Sequence, residues 1–184
     1  LFLCYGARLS GFLLVREIKN ASYRKTLKDA TKTDRIPFFV SLVIWICVSI
    51  LYTAQVSPML YRYYNGSTDV IVPIIGIVIS ALGLILESFA DIQKSAQKRD
   101  NPNMVATRGL YSIVRCPNYL GEIVFWTGVL VSGLTTYTGI GQYLMAIIPY
   151  ICIVYIMFDG AKRLEKRQMS RYGDNPAYQK YANS

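Results

Sequence analysis

The sequence predicts an all-α protein, a polytopic bundle of transmembrane helices. Three observations carry that expectation. Hydrophobic residues fill 53% of the 184 positions and the mean hydropathy is +0.29, too apolar for an ordinary soluble domain. Of the 20 lysines and arginines, seven lie between Arg16 and Arg35, five between Lys94 and Arg115, and six between Lys162 and Lys180. Those basic segments alternate with apolar runs whose other connections carry almost no charge. Cations collect on the cytoplasmic side of membrane proteins, so the pattern places all three segments, and the C-terminus, in the cytoplasm. The net charge of +9 is thereby accounted for without nucleic acid, and none is expected as a partner.

In chain order, helices are expected over about 1–15, 36–60, 70–98, 117–135 and 140–170, in a single integral membrane domain spanning 1–184. That makes four full spans and one partial span at the start. Residues 1–15 (LFLCYGARLSGFLLV) begin without methionine inside an apolar run, so an N-terminal part is expected to be missing. Tyr5 and Arg8, three apart, share a face of this helix. An arginine at that depth costs at least ~2.5 kcal/mol unless it meets a polar cavity or an anionic partner. Residues 17–35 read as a solvated basic loop near anionic headgroups. Pro37 suits the first turn of the next span, and Asn65-Gly66 marks an outer turn that also matches a glycosylation acceptor. Residues 70–86 are a clean apolar run that continues into Glu87, Asp91, Lys94 and Lys98, one polar stripe at i, i+4, i+3, i+4 spacing. The TTYTG link makes the last two spans an antiparallel hairpin, and Pro149 is expected to kink the final helix.

The four cysteines, Cys4, Cys47, Cys116 and Cys152, are scattered, and the chain has no histidine. Neither a zinc site nor a mechanism needing imidazole is therefore expected, and no metal is expected.

The most informative stretch is Arg108–Trp126, RGLYSIVRCPNYLGEIVFW. Pro117 suits a helix start, which puts Asn118, Tyr119 and Glu122 within one turn of each other on or near one face. A glutamate inside such a helix is costly unless something polar meets it. Residues 87–98, 108–122 and 162–171 reach one membrane level, the cytoplasmic mouth. A ring of cations with Asn and Tyr around a helix N-terminus suits a polyanionic cofactor: Arg115, Arg163 and Lys98 can clamp phosphates and the helix end offers N–H groups. Glu87, Asp91 and Glu122 can accept from ribose hydroxyls or an amide. A surface for anionic membrane lipid accounts for the charges but not for Asn118 and Glu122. Glu165, amid Lys162, Arg163, Lys166 and Arg167, reads as salt-bridged on a solvated helix.

The runs LESFADIQK and RGLYSIVRCPNYLGEIVFWTG resemble the steroid 5-alpha-reductase superfamily, especially its bacterial membrane proteins of unknown function. YGARLSGFLLVREI and GDNPAYQKY resemble an earlier helix and the tail of that family, so the likeness spans essentially the whole chain. It implies a seven-helix fold whose first two helices are missing here. It also implies an NADPH-dependent reductase of a carbon–carbon double bond conjugated to a carbonyl, acting on a steroid-like or other lipid. By position, Asp91, Asn118 and Glu122, with Lys98, Arg115 and Tyr119, resemble contacts to the cofactor. Tyr5 resembles the tyrosine that donates to the substrate carbonyl, and Arg8, one turn along, would set the field at it. The related bacterial pattern has histidine where this chain has Cys116. Two other classes compete with the reductase. One is an S-adenosylmethionine-dependent methyltransferase of the isoprenylcysteine or phospholipid type, with Glu165 as its C-terminal glutamate and Cys116 against it. The other is a non-catalytic lipid-binding membrane protein.

Overall fold

The computed structural model describes residues 1–19, 37–102 and 104–183, side chains at 13, 16, 17 and 19 excepted. The expected basic loop falls almost wholly at 20–36, outside the described residues. All regular structure among the described residues is helical: α1 Phe2–Lys19, α2 Phe38–Gln55, α3 Ser57–Tyr64, α4 Ile71–Asp100, a 3-10 turn at Gly109–Ser112, α5 Pro117–Ser132, α6 Ile140–Tyr172 and α7 Pro176–Ala182. The sequence suggests a single membrane domain; the chain groups into two compact units, Leu1–Thr53 and Ala54–Ser184.

Among the described residues three helices are long and apolar enough to cross a membrane: α2, α4 and α6. Their outer surfaces carry exposed Trp45, Ile74, Val78, Ile148 and Tyr155, which is where lipid replaces water. At ~1.5 Å per residue α4 and α6 reach about 45 and 50 Å, so both outrun a hydrocarbon core of ~30 Å. Their basic ends therefore stand clear of the apolar layer. The fourth expected span, α5, is only 16 residues. It reaches ~24 Å and lies packed between α4 and α6.

The first unit holds α1 and most of α2. Tyr5 is buried on α1, and Arg8 lies 6.0 Å from the centre of the Phe12 ring one turn on, a cation–π pairing.

In the second unit the expected 36–60 span breaks at Val56, giving α2 and the separate α3. Pro58 is the cause: it lacks the N–H for a bond back to Ala54 and its ring crowds that carbonyl. Pro149, by contrast, sits inside a helix that runs on from Ile140 to Tyr172. The missing N–H at Pro149 leaves the Met145 carbonyl without its helical partner, and Ser57 Oγ of α3 donates to that oxygen at 3.3 Å. One proline ends a helix while the other is tolerated because a neighbour supplies the donor.

The tightest packing is between α4 and α5. Gly76, Ser80, Gly83, Glu87 and Ala90 recur at four and three residues on α4, facing Gly121, Phe125, Gly128 and Ser132 on α5. A Cβ on Gly76 would lie 2.6 Å from Ser132 Cβ, and one on Gly121 would lie 2.8 Å from Glu87 Cβ, so the two backbones approach as only glycine allows. Ser80 Oγ donates across the seam to Phe125 O at 2.9 Å.

Candidate functional site

The return from α4 to α5 is held by two glutamines one turn apart. Gln97 Oε1 accepts from Thr107 N and Arg108 N, both at 2.9 Å, and Gln97 Nε2 donates to Arg108 O. Gln93 Oε1 accepts from Leu110 N at 2.9 Å. Gly109 takes φ +69 beside Gln93, where a side chain would strike the amide. The loop thus lies down on the polar end of α4 and buries Ala106 and Tyr111 against Ala90. Gln93 is the last residue but one of the LESFADIQK run, yet only the four-residue spacing of the two glutamines hints at this role.

Around this platform lie two cavities. The smaller, about 150 Å³, is lined by Lys94 and Lys98 of α4, Arg115, and Arg167 and Arg171 of α6, with Tyr111, Tyr172 and Tyr181 among the rest. Five cations converge there and no carboxylate lines it. Like charges are held together only by what they grip elsewhere. Lys98 Nζ donates to Tyr172 OH at 3.0 Å and lies 5.0 Å from that ring, and Arg171 stacks on the same ring at 5.4 Å. The Tyr111 hydroxyl is buried with no hydrogen-bond partner, and burial, followed by the nearby Asp91 charge, pushes its pKa well above the ordinary tyrosine value. Tyr111, Lys94, Arg167 and Arg171 were not among the expected contacts, although their spacing of four on α4 and on α6 is readable in the sequence.

The larger cavity, about 340 Å³, lies between α5, α6 and α7. Leu120, Ile123, Met157, Phe158 and Ala161 form its apolar wall, and Arg115, Lys162, Glu165 and Gln168 its polar end. Arg115 pairs with Glu165 and also donates to Ala182 O, which ties α5, α6 and α7 together. Glu165 therefore pairs across elements, in place of the local helix pairing expected of it. Burial raises the Cys116 thiol, with Lys94 and Arg115 opposing. Arg115, Gln168 and Tyr181 line both cavities.

The expected residues divide accordingly. Lys98 lines the smaller cavity, Tyr119 the larger, and Arg115 both. Asn118 and Glu122 line neither: they sit roughly a third of a turn from Tyr119, Leu120 and Ile123 round α5. Glu122 is buried and accepts from Trp126 Nε1 at 2.8 Å, while the Asn118 Oδ1 is buried without a partner. Glu87 is buried against Gly121. Asp91, a turn along α4 from Glu87, faces the Tyr111 hydroxyl closely enough to raise it. Arg163 does not join the group; it is largely exposed and pairs with Asp159 one turn back at 2.9 Å. The start of α5 offers an anion less than expected, because Pro117 has no N–H and those of Tyr119 and Leu120 turn to Cys116 O. Tyr5 and Arg8 belong to the first unit. Among the described residues no three His, Cys, Asp or Glu side chains gather as metal ligands.

No curated protein and no solved structure matches the chain. Over its whole length, residues 1–184, the chain matches the family described as "Protein of unknown function (DUF1295)", and it belongs to that family.

Proposed function

We propose that this chain is a membrane-embedded, NADPH-dependent reductase of a carbon–carbon double bond conjugated to a carbonyl, in a steroid-like or other lipid. The observation that carries this reading is the small cavity walled by Lys94, Lys98, Arg115, Arg167 and Arg171, with the buried, unpartnered Tyr111 hydroxyl beside them. Such a cluster is costly unless an anion fills it, and a dinucleotide phosphate supplies both the charge and an acceptor for Tyr111. The association of the matched family with steroid 5-alpha-reductase-like proteins supports the same choice.

The residues present fit the cofactor in kind. Lys98 and Arg115, with Lys94, Arg167 and Arg171, would hold its phosphates. The orphaned Asn118 Oδ1 would accept from its amide, and Asp91 and Glu87 from ribose hydroxyls. Glu122 would orient this end from its bond to Trp126, and Tyr119 would bound the site on the α6 side, where its ring lies against Gly160. NADPH, when bound, supplies hydride to the β-carbon of the conjugated system. A phenol donating to the carbonyl oxygen would stabilise the charge that develops there, the role that the family likeness gives Tyr5. The cation clusters and the C-terminus would then face the cytoplasm of a bacterial inner membrane or the endoplasmic reticulum, on the side that holds the cofactor.

The discriminating experiment is thermal unfolding of the purified full chain in detergent. NADPH is expected to raise the midpoint and S-adenosylmethionine to leave it unchanged. Stabilisation by S-adenosylmethionine alone would overturn the reductase in favour of the methyltransferase, and stabilisation by neither would favour a lipid-binding protein without catalysis.

A further inference from the structure

The larger cavity is unlike the cationic one in lining and direction. Along α6 its wall grades from Met157 and Phe158 through Ala161 to Lys162, Glu165 and Gln168. Along α5 it grades from Ile123 and Leu120 through Tyr119 to Cys116 and Arg115. The two helices run in opposite senses, so both gradients point the same way in space, apolar at one end and charged at the other. Leu120 and Phe158 are themselves exposed, so the cavity opens along an apolar surface of the kind lipid covers. At the polar end Arg115 is matched by Glu165, whereas Lys162 takes part in no ion pair among the described residues. The neighbouring cavity, joined through Arg115, Gln168 and Tyr181, adds only positive charge. A site that is oily at one end and net cationic at the other is complementary to an amphiphile with an anionic head.

We propose that this cavity holds one anionic glycerophospholipid of the surrounding bilayer, an acyl chain against Leu120, Ile123, Met157 and Phe158 and the phosphate at Lys162, the Arg115 charge being taken up by Glu165. The site is separate from the side of α5 that carries Asn118 and Glu122, and it stands whether or not the reductase reading holds. Bound lipid would brace α7 against α5 and α6 beside the cationic cavity, making the order of that region depend on membrane composition.

Cys116 lines the cavity and reports its occupancy. The full chain with Cys4, Cys47 and Cys152 replaced by serine keeps it as the sole thiol. In nanodiscs of phosphatidylcholine, or of phosphatidylcholine with phosphatidylglycerol, its alkylation by N-ethylmaleimide is followed. Phosphatidylglycerol is expected to slow the reaction about fivefold, the effect of roughly one cation on an anionic headgroup, and Lys162→Glu to abolish that slowing. A general surface-potential effect would persist in Lys162→Glu and would overturn the proposal. Equal rates in the two lipids would overturn it as well. Slowing by NADPH in pure phosphatidylcholine would assign the cavity to the cofactor instead.

Discussion

Tyr111 is the residue whose chemistry most needs explaining. Its ring completes the small core with Ala90 and Ala106, yet its hydroxyl is buried with nothing to bond. An unmet buried hydroxyl costs ~1–3 kcal/mol, so Tyr111→Phe should leave the ligand-free protein as stable or more stable. The same change should weaken NADPH by about 1 kcal/mol, measured as a smaller thermal shift, if the hydroxyl donates to a phosphate. Burial raises the folded-state pKa above the ordinary tyrosine value of 10.0. The neutral hydroxyl therefore favours folding fully below that value, and the benefit is lost as pH climbs past it, because the unfolded chain ionises first. Melting curves should fall more steeply above that pH in wild type than in Tyr111→Phe. Parallel curves would mean that the hydroxyl ionises as readily in the folded protein as in the unfolded chain. Asn118 is the second such residue, its Oδ1 aimed at no group of the chain.

At the level of elements, the α4–α5 seam positions everything at the basic end. Gly83 is the sharpest point: an added Cβ would sit 2.7 Å from Gly121 O, with the Phe125 backbone closer still. Gly83→Ala should therefore destabilise by ~1–3 kcal/mol, since backbone cannot yield as a flexible side chain can. The same substitution at Gly139, with open space around it, should be nearly neutral in chemical denaturation. The helices themselves were legible because apolar runs and cation clusters are gross features of composition. Proline was harder to read. Pro58 breaks a span and Pro149 does not, and the difference rests on Ser57 reaching the Met145 carbonyl, a contact 88 residues apart. The small-residue ladder was present in the letters but looks like ordinary membrane-helix composition until the partner helix is in view. The motif from Arg108 to Trp126 announced a site, though not its division: helical periodicity puts Tyr119 and Glu122 near one face of α5, and only packing gives Tyr119 to the larger cavity and Glu122 to Trp126.

Across the molecule, α4 and α6 outrun the apolar layer and carry their cations to one end, where Lys94, Lys98, Arg115, Arg167 and Arg171 enclose a single cavity. Net charge and loop asymmetry foretell which end is basic, but not that α6 supplies two of the five cations while Arg163 turns away to Asp159. The central claim is that this cluster exists to hold the phosphates of NADPH. The most direct test is a titration of NADPH against the purified full chain and against Lys98→Glu/Arg171→Glu, at low and moderate salt. Each lost charge-assisted contact is worth ~1.5–3 kcal/mol, so affinity in the double variant should fall at least about a hundredfold, with wild-type binding weakening as salt is raised. Equal affinity in the two proteins, independent of salt, would contradict the account.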